Sequence, residues 1–186
     1  LLNKSAVIFG GNIAVTCYAP ISYISAVVML LMQGVSDGSQ PLISLAYGEG
    51  KHDTTKAVRD LAYRFAFGVA VVCSVVLFLL RGSAAHLFGA SEQVTMLVAQ
   101  ILPIFIIGFV FVSVSRVTTA YFYATGKNLW AYILIYGEPL TLCILLLILP
   151  NAMGSVNGTW VSVPLSQIIA MLLSLLLIHK NRTLEH

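Results

Sequence analysis

Long apolar stretches separated by short polar segments run along the whole chain. An apolar helix needs about 20 residues to cross the roughly 30 Å hydrocarbon core of a bilayer, and five stretches reach that length. The breaks between them carry most of the charged residues, together with glycine and proline. We therefore predict an all-α integral membrane protein with five spans, at residues 14–47, 61–80, 94–124, 130–149 and 160–178.

The first apolar stretch is too long for a single crossing. At about 1.5 Å per residue, a helix over residues 6–47 would extend roughly 60 Å, twice the core thickness. The Gly10–Asn12 stretch predicts a turn, so the residues before it are expected to be the end of a preceding helix. We also predict a kink in the first complete span near Pro20 or Pro41.

Composition supports a membrane protein and excludes several other classes. The 186 residues are 59% hydrophobic and 9% charged, whereas soluble globular chains carry about 25% charge. A soluble enzyme, a nucleic-acid-binding domain and a disordered tail all need a polar exterior that these residues cannot supply. The three cysteines fall singly in apolar stretches, and no metalloprotease, hydrolase-elbow or P-loop motif occurs. No enzymatic activity, bound metal or cofactor is expected.

The placement of lysine and arginine predicts an orientation. Seven basic residues fall on one predicted side of the membrane and two on the other, so the positive-inside rule places the first side in the cytoplasm. The protein would then lie in the inner (plasma) membrane, with its C-terminus in the cytoplasm and its first residues outside. A chain that begins outside without a signal sequence is most simply part of a longer protein, and residues 184–186 resemble the start of a Leu-Glu-polyhistidine tag. The seven residues are Lys51, Lys56, Arg59, Arg64, Lys127, Lys180 and Arg182, and the two are Lys4 and Arg81.

A polar stripe in the first span is the first candidate site. Gln33, Asp37, Gln40 and Ser44 are spaced by three or four residues and so share one helix face. Such a face on an otherwise apolar helix predicts a water-filled pathway. The alternative is that Asp37 lies near the headgroups. In that case the neighbouring glycines 34 and 38 would form a small-xxx-small packing site close to the kink at proline 41.

Two further charged residues lie within predicted spans. Arg116 either lines the pathway or extends its long side chain to the membrane surface. Glu138 follows Tyr136 in the middle of the fourth span and needs either a proton or a partner such as Arg116. A purely structural ion pair is the alternative to a role in transport. Arg116, Tyr136 and Glu138 are all candidate pathway residues.

Three motifs, in order along the chain, resemble landmarks of the multidrug and toxic compound extrusion (MATE) transporters. The first is the Gly-Val-Ser-Asp-Gly-Ser-Gln-Pro-Leu stretch from Gly34, which resembles the second helix of a six-helix lobe. The second, Tyr-Phe-Tyr-Ala-Thr-Gly-Lys at 121–127, resembles the end of the family's tenth helix. The third, Gly-Ser-Val-Asn-Gly-Thr-Trp from Gly154, resembles the turn into the last helix.

The resemblance implies a twelve-helix transporter with two six-helix lobes, of which this chain would supply helices eight to twelve. Such a protein exports cationic drugs in exchange for Na⁺ or H⁺, with the N-terminal lobe, the lipid bilayer and organic cations as partners. Two positions depart from the family pattern: Gln167 stands where an acid is frequent, and Glu138 where a base is common. In many members the coupling carboxylates of this lobe lie in the seventh helix, which would precede this chain, or in the tenth, where this sequence has Arg116 and no acid. The resemblance therefore leaves the coupling ion open. The alternatives are a lipid-linked sugar flippase of the same superfamily and a non-transporting membrane scaffold subunit.

Overall fold

Five long helices make up the chain, as predicted. The computed structural model describes residues 1–184, with side chains as far as Asn181. The proposed tag remnant at 184–186 lies outside the described residues, except that the backbone of Leu184 ends the last helix. All five helices are long and apolar enough to cross a membrane. They are α1 (Leu2–Gly48), α2 (His52–Leu80), α3 (Glu92–Ala124), α4 (Asn128–Met153) and α5 (Val156–Leu184), with a short 3₁₀ turn at Ala84–Phe88 between α2 and α3.

The first helix is interrupted where the sequence predicts a turn. Gly11 has φ 67° and ψ −169°, a conformation outside the helical region that separates residues 2–10 from the long crossing that follows. Glycine tolerates this backbone because it lacks a Cβ. Pro20 and Pro41, near which a kink was expected, both lie within the helix that follows. The backbone torsions there stay helical, and the non-helical residue of α1 is Gly11.

Helix α3 is the centre of the bundle. It packs against α1, α2, α4 and α5, and a larger share of it is buried than of any other span. Three of the four connections between helices are turns of two or three residues, and the α2–α3 connection contains the 3₁₀ turn. Short connections favour antiparallel packing of neighbouring helices. The outer faces of α2 and α4 expose mainly leucine, isoleucine, valine and phenylalanine, as expected for surfaces that contact lipid.

The turns at 49–51 and 125–127 and the end of α5 lie together at one end of the bundle, which we call the basic end. Here Lys127 donates a hydrogen bond to the side-chain carbonyl of Asn181. The Lys180 ammonium lies 5.5 Å from the centre of the Trp130 ring. These contacts tie the α3–α4 turn to the end of α5. The relative sidedness inferred from the sequence therefore agrees with the fold.

Trp160 departs from its expected position. Tryptophan at the end of a span predicts an interfacial anchor, but Trp160 is only 1% exposed. Its ring stacks on Tyr18 at 5.8 Å and lies 6.1 Å from Phe105. Three helices therefore meet at this ring, opposite the basic end, and Trp160 belongs to the core.

Candidate functional site

An ion pair joins α3 to α4 inside the membrane-spanning region. Nη2 of Arg116 lies 3.9 Å from Oε2 of Glu138, and the two side chains are 36% and 20% exposed. At an effective dielectric constant of about 20, such a pair attracts by about 4 kcal/mol. A charge in the middle of a membrane helix costs roughly 3 kcal/mol. The attraction between Arg116 and Glu138 offsets much of this cost for both residues. Glu138 has the partner that the sequence suggested.

The pair is not saturated. Nε of Arg116 is buried and has no hydrogen-bond partner among the described side chains and backbone. An Arg–carboxylate pair at its strongest has two parallel hydrogen bonds of about 2.8 Å, and this pair is more than 1 Å longer. One donor of the guanidinium is therefore left without an acceptor among the described residues.

The polar stripe of α1 carries the third charge. Nε2 of Gln33 donates a 2.7 Å hydrogen bond to Oδ1 of Asp37. Asp37 and Ser44 are exposed, while Gln33 and Gln40 are half-buried. Within the part of the chain that the structure describes, no cation pairs with the Asp37 carboxylate. This stripe therefore presents one uncompensated negative charge.

The three charges lie at similar depth. Asp37 stands eleven residues before the end of α1, Glu138 ten residues after the start of α4, and Arg116 eight residues before the end of α3. At 1.5 Å per residue these positions are about 16, 15 and 12 Å from the basic end. The chain thus places a carboxylate, a guanidinium and a second carboxylate in one layer of the membrane.

Helical geometry also relates the directions in which these side chains point. Gly34, Val35 and Gly38 line a groove between α1 and α2, and they lie about 60°, 160° and 100° around the helix from Asp37. Asp37 therefore borders this groove. Val114 lines a cavity between α2 and α5, and Arg116, two residues later, is rotated by about 200°. Arg116 therefore projects from the side of α3 that faces away from α2, which is the side towards α4.

Other predicted site residues are not brought to the ion pair. Tyr136 is 67% exposed and lies about 200° around α4 from Glu138, with its ring 6.4 Å from that of Tyr132. Gly34 and Gly38 line the open groove between α1 and α2, and a Cβ at either would meet no atom within 4 Å. Within this chain, neither glycine makes a tight helix–helix contact. Pro41 is exposed on α1.

The sequence did not indicate that two polar side chains are buried. Arg59, one of the seven basic residues predicted on the cytoplasmic side, is only 3% exposed and lies within α2. Gln167 is also 3% exposed, and its Oε1 is buried without a partner against the Cα of Gly108. Hydropathy along the chain carries no signal for either, because both depend on a neighbouring helix. Among the described residues, no three His, Cys, Asp or Glu side chains are grouped so that they could hold a metal ion.

The comparison with family models decides the assignment. The model of the MatE family matches residues 5–149, well over half of the chain. The chain belongs to the MATE family. No curated protein sequence matches it.

Solved MATE structures share the fold of this chain. An outward-facing multidrug resistance MATE transporter of the MOP superfamily matches with a TM-score of 0.88 and 18% identity, over 97% of this chain and 40% of that one. An inward-facing structure matches with a TM-score of 0.83 and 18% identity, over 97% and 42%. A MOP superfamily transporter from Pyrococcus furiosus matches with a TM-score of 0.89 and 20% identity, over 97% and 41%. The chain thus spans about 40% of the length of these structures, and its five helices match one lobe of the MATE fold.

Proposed function

We propose that this chain is the C-terminal lobe of a secondary antiporter that exports cationic drugs or toxic organic compounds in exchange for Na⁺ or H⁺. Its partner in transport would be the N-terminal lobe of the same transporter. The observation that carries the proposal is the similar depth of Asp37, Arg116 and Glu138, of which Asp37 has no cationic partner among the described residues.

The charge of this layer favours a cation as substrate. Arg116 and Glu138 compensate each other at 3.9 Å, which leaves Asp37 as the uncompensated charge. Gln33 holds the Asp37 carboxylate by a hydrogen bond that does not neutralise it. An exposed carboxylate on a membrane helix attracts an organic cation, Na⁺ or a proton, because each of these removes the cost of an unpaired charge in hydrocarbon.

The alternatives fit these charges less well. A flippase of lipid-linked sugars carries a polyanionic headgroup and calls for several basic residues in its cavity, whereas this layer offers Arg116 alone, already paired. The name of the Pyrococcus furiosus structure reports a reverse polarity of its binding pocket and suggests a different function for that protein. Side-chain charge, rather than the shared fold, therefore has to identify the substrate. A non-transporting scaffold leaves the exposed Asp37 without a role.

One lobe supplies half of such a machine. Secondary transporters bind substrate near the membrane midplane between two repeats and alternate access by moving one against the other. The basic end would face the cytoplasm of the inner membrane, with the C-terminus on that side.

Reconstitution tests the proposal. The chain alone, in liposomes with an imposed Na⁺ or proton gradient, should give no ethidium efflux. The full transporter should export ethidium, driven by the ion gradient. Changing Asp37→Asn in the full transporter should reduce this flux strongly. The control Asp53→Asn, in the exposed first turn of α2, should leave it unchanged. Ethidium efflux by the single lobe, or equal flux in both variants, would contradict the proposal.

A further inference from the structure

A cavity near the basic end lies between α2 and α5, on the side of α3 that faces away from the Arg116–Glu138 pair. The proposed transport does not explain it. Helices α2 and α5 both pack on α3 but scarcely touch each other. The open cavity of about 380 Å³ between them reaches Val114 of α3. It lies on the face of α3 opposite Arg116, away from the proposed pathway. The lining residues are Arg59, Asp60, Tyr63, Val114, Leu175, Ile178 and His179.

The cavity contains a buried, preorganised cation. Arg59 is 3% exposed, and its Nε and Nη2 donate hydrogen bonds of 3.0 and 2.8 Å to Oδ1 of Asp60. The guanidinium carbon lies 5.1 Å from the centre of the Tyr121 ring. A guanidinium has five N–H donors, so two bonds to one carboxylate oxygen leave donors for a phosphate. His179 adds a second nitrogen-bearing side chain at the rim.

The cavity also contains an acceptor for a cation. The Asp60 side chain is 51% exposed, and both bonds from Arg59 end on the same oxygen, which leaves Oδ2 for another donor. A phosphate beside Arg59 and an ammonium beside Asp60 would complete two complementary charge pairs within one site. Neither a simple anion nor a simple cation would use both groups.

The remaining wall is apolar and leads into the bilayer. Arg59 is seven residues into α2, about 10 Å from the basic end, whereas Val114 is ten residues before the end of α3, about 15 Å deep. Leu175 and Ile178 form the α5 side. Tyr63 is bonded to Thr118 at 2.7 Å and so needs no other partner. The charged groups of Arg59 and Asp60 thus lie nearer the basic end than the apolar Val114, an arrangement that matches an amphiphile.

We propose that this cavity binds a phospholipid whose headgroup carries both a phosphate and a primary ammonium, of the phosphatidylethanolamine class. The phosphate would contact Arg59 and His179, the ammonium would contact Oδ2 of Asp60, and an acyl chain would lie along Val114, Leu175 and Ile178. Basic pockets between membrane helices are established sites for lipid headgroups. The adjacent carboxylate gives this pocket its selectivity.

Native mass spectrometry of the whole chain, titrated with single lipids, tests the proposal. Phosphatidylethanolamine should bind more tightly than phosphatidylcholine, whose quaternary ammonium cannot donate, and than phosphatidylglycerol, which has no ammonium. Asp60→Asn should weaken phosphatidylethanolamine about tenfold, the change that about 1.4 kcal/mol produces, as expected for a hydrogen bond to a charged group. It should leave phosphatidylglycerol nearly unchanged.

Two further variants separate binding in the cavity from binding elsewhere. Leu175→Trp fills the apolar wall at an exposed position and should weaken all three lipids. The control Asp53→Asn, on the same helix but outside the cavity, should weaken none. Equal affinity of the native chain for the three lipids would overturn the proposal, and so would full binding by Leu175→Trp. The comparison of lipids on the native chain needs no variant to fold.

Discussion

Arg116 of α3 and Glu138 of α4 lie 3.9 Å apart, and the Nε of the arginine is buried beside them without an acceptor. The two charges are close enough to need each other but are not joined by a short bidentate bond. The pair therefore links α3 to α4 by charge attraction at 3.9 Å and not by a short bidentate hydrogen bond.

Neutralising one member of the pair should destabilise the chain. Glu138→Gln leaves the guanidinium without its counter-ion, and because Arg116 is 36% exposed we expect a loss of about 1–2 kcal/mol rather than the 3–5 kcal/mol of a fully buried pair. Thermal unfolding in detergent measures it. The double variant Arg116→Gln/Glu138→Gln should recover most of the loss, and Glu92→Gln, exposed at the start of α3, should cost little. A double variant no more stable than Glu138→Gln would show that the two charges do not interact.

A methyl group at Gly108 should not fit. A Cβ there would overlap Oε1 of Gln167, so Gly108→Ala must displace the buried amide and should cost about 1–3 kcal/mol. Adding Gln167→Ala should restore part of this stability, because it removes the atoms in conflict. The matched control is Gly34→Ala, where nothing lies within 4 Å of the added Cβ. Equal melting temperatures for the Gly108 and Gly34 variants would contradict this packing.

The two tryptophans should report different surroundings. Trp160 is 1% exposed, whereas Trp130 is half-buried near the basic end. The Trp130→Phe variant therefore fluoresces from a ring shielded on three sides, and acrylamide and brominated lipid should both quench it weakly. The Trp160→Phe variant should be quenched more strongly. Stronger quenching of Trp160 than of Trp130 would show that Trp160 lies at the membrane interface.

The ends of the bundle should differ in accessibility. Single cysteines at positions 51 and 127 should react with an impermeant maleimide from the same side of the membrane, because both turns lie at the basic end. Cysteines at 81 and 157 should react from the other side. The background needs Cys17, Cys73 and Cys143 replaced, all three of which are free thiols. Labelling of positions 51 and 81 from one side would contradict the five-helix fold.

Local sequence was sufficient for the helices. Length and hydropathy are properties of a continuous segment, and water and lipid select for them without reference to the rest of the chain. The break at the first glycine pair followed from the same reasoning, because a helix of 42 residues is too long for one crossing. The N-cap at Ser91, whose Oγ accepts from the backbone N–H of Val94, was also predictable, since capping depends on adjacent residues. The motifs indicated the family.

Only the tertiary structure decided which side chains meet. Arg59 and Trp160 stand near helix ends, where the sequence predicts exposed side chains, yet both are buried against residues far away in sequence. Tyr136 and Glu138 are two residues apart and point in nearly opposite directions, whereas Glu138 and Arg116 are in contact across two helices. The polar stripe of α1 was visible in the sequence, but the shared depth of its Asp37 with that pair required the observed helix ends. Hydropathy predicts which segments enter the membrane. The burial of each side chain depends on the rotation of its helix about its own axis, which is fixed by packing against the neighbouring helices.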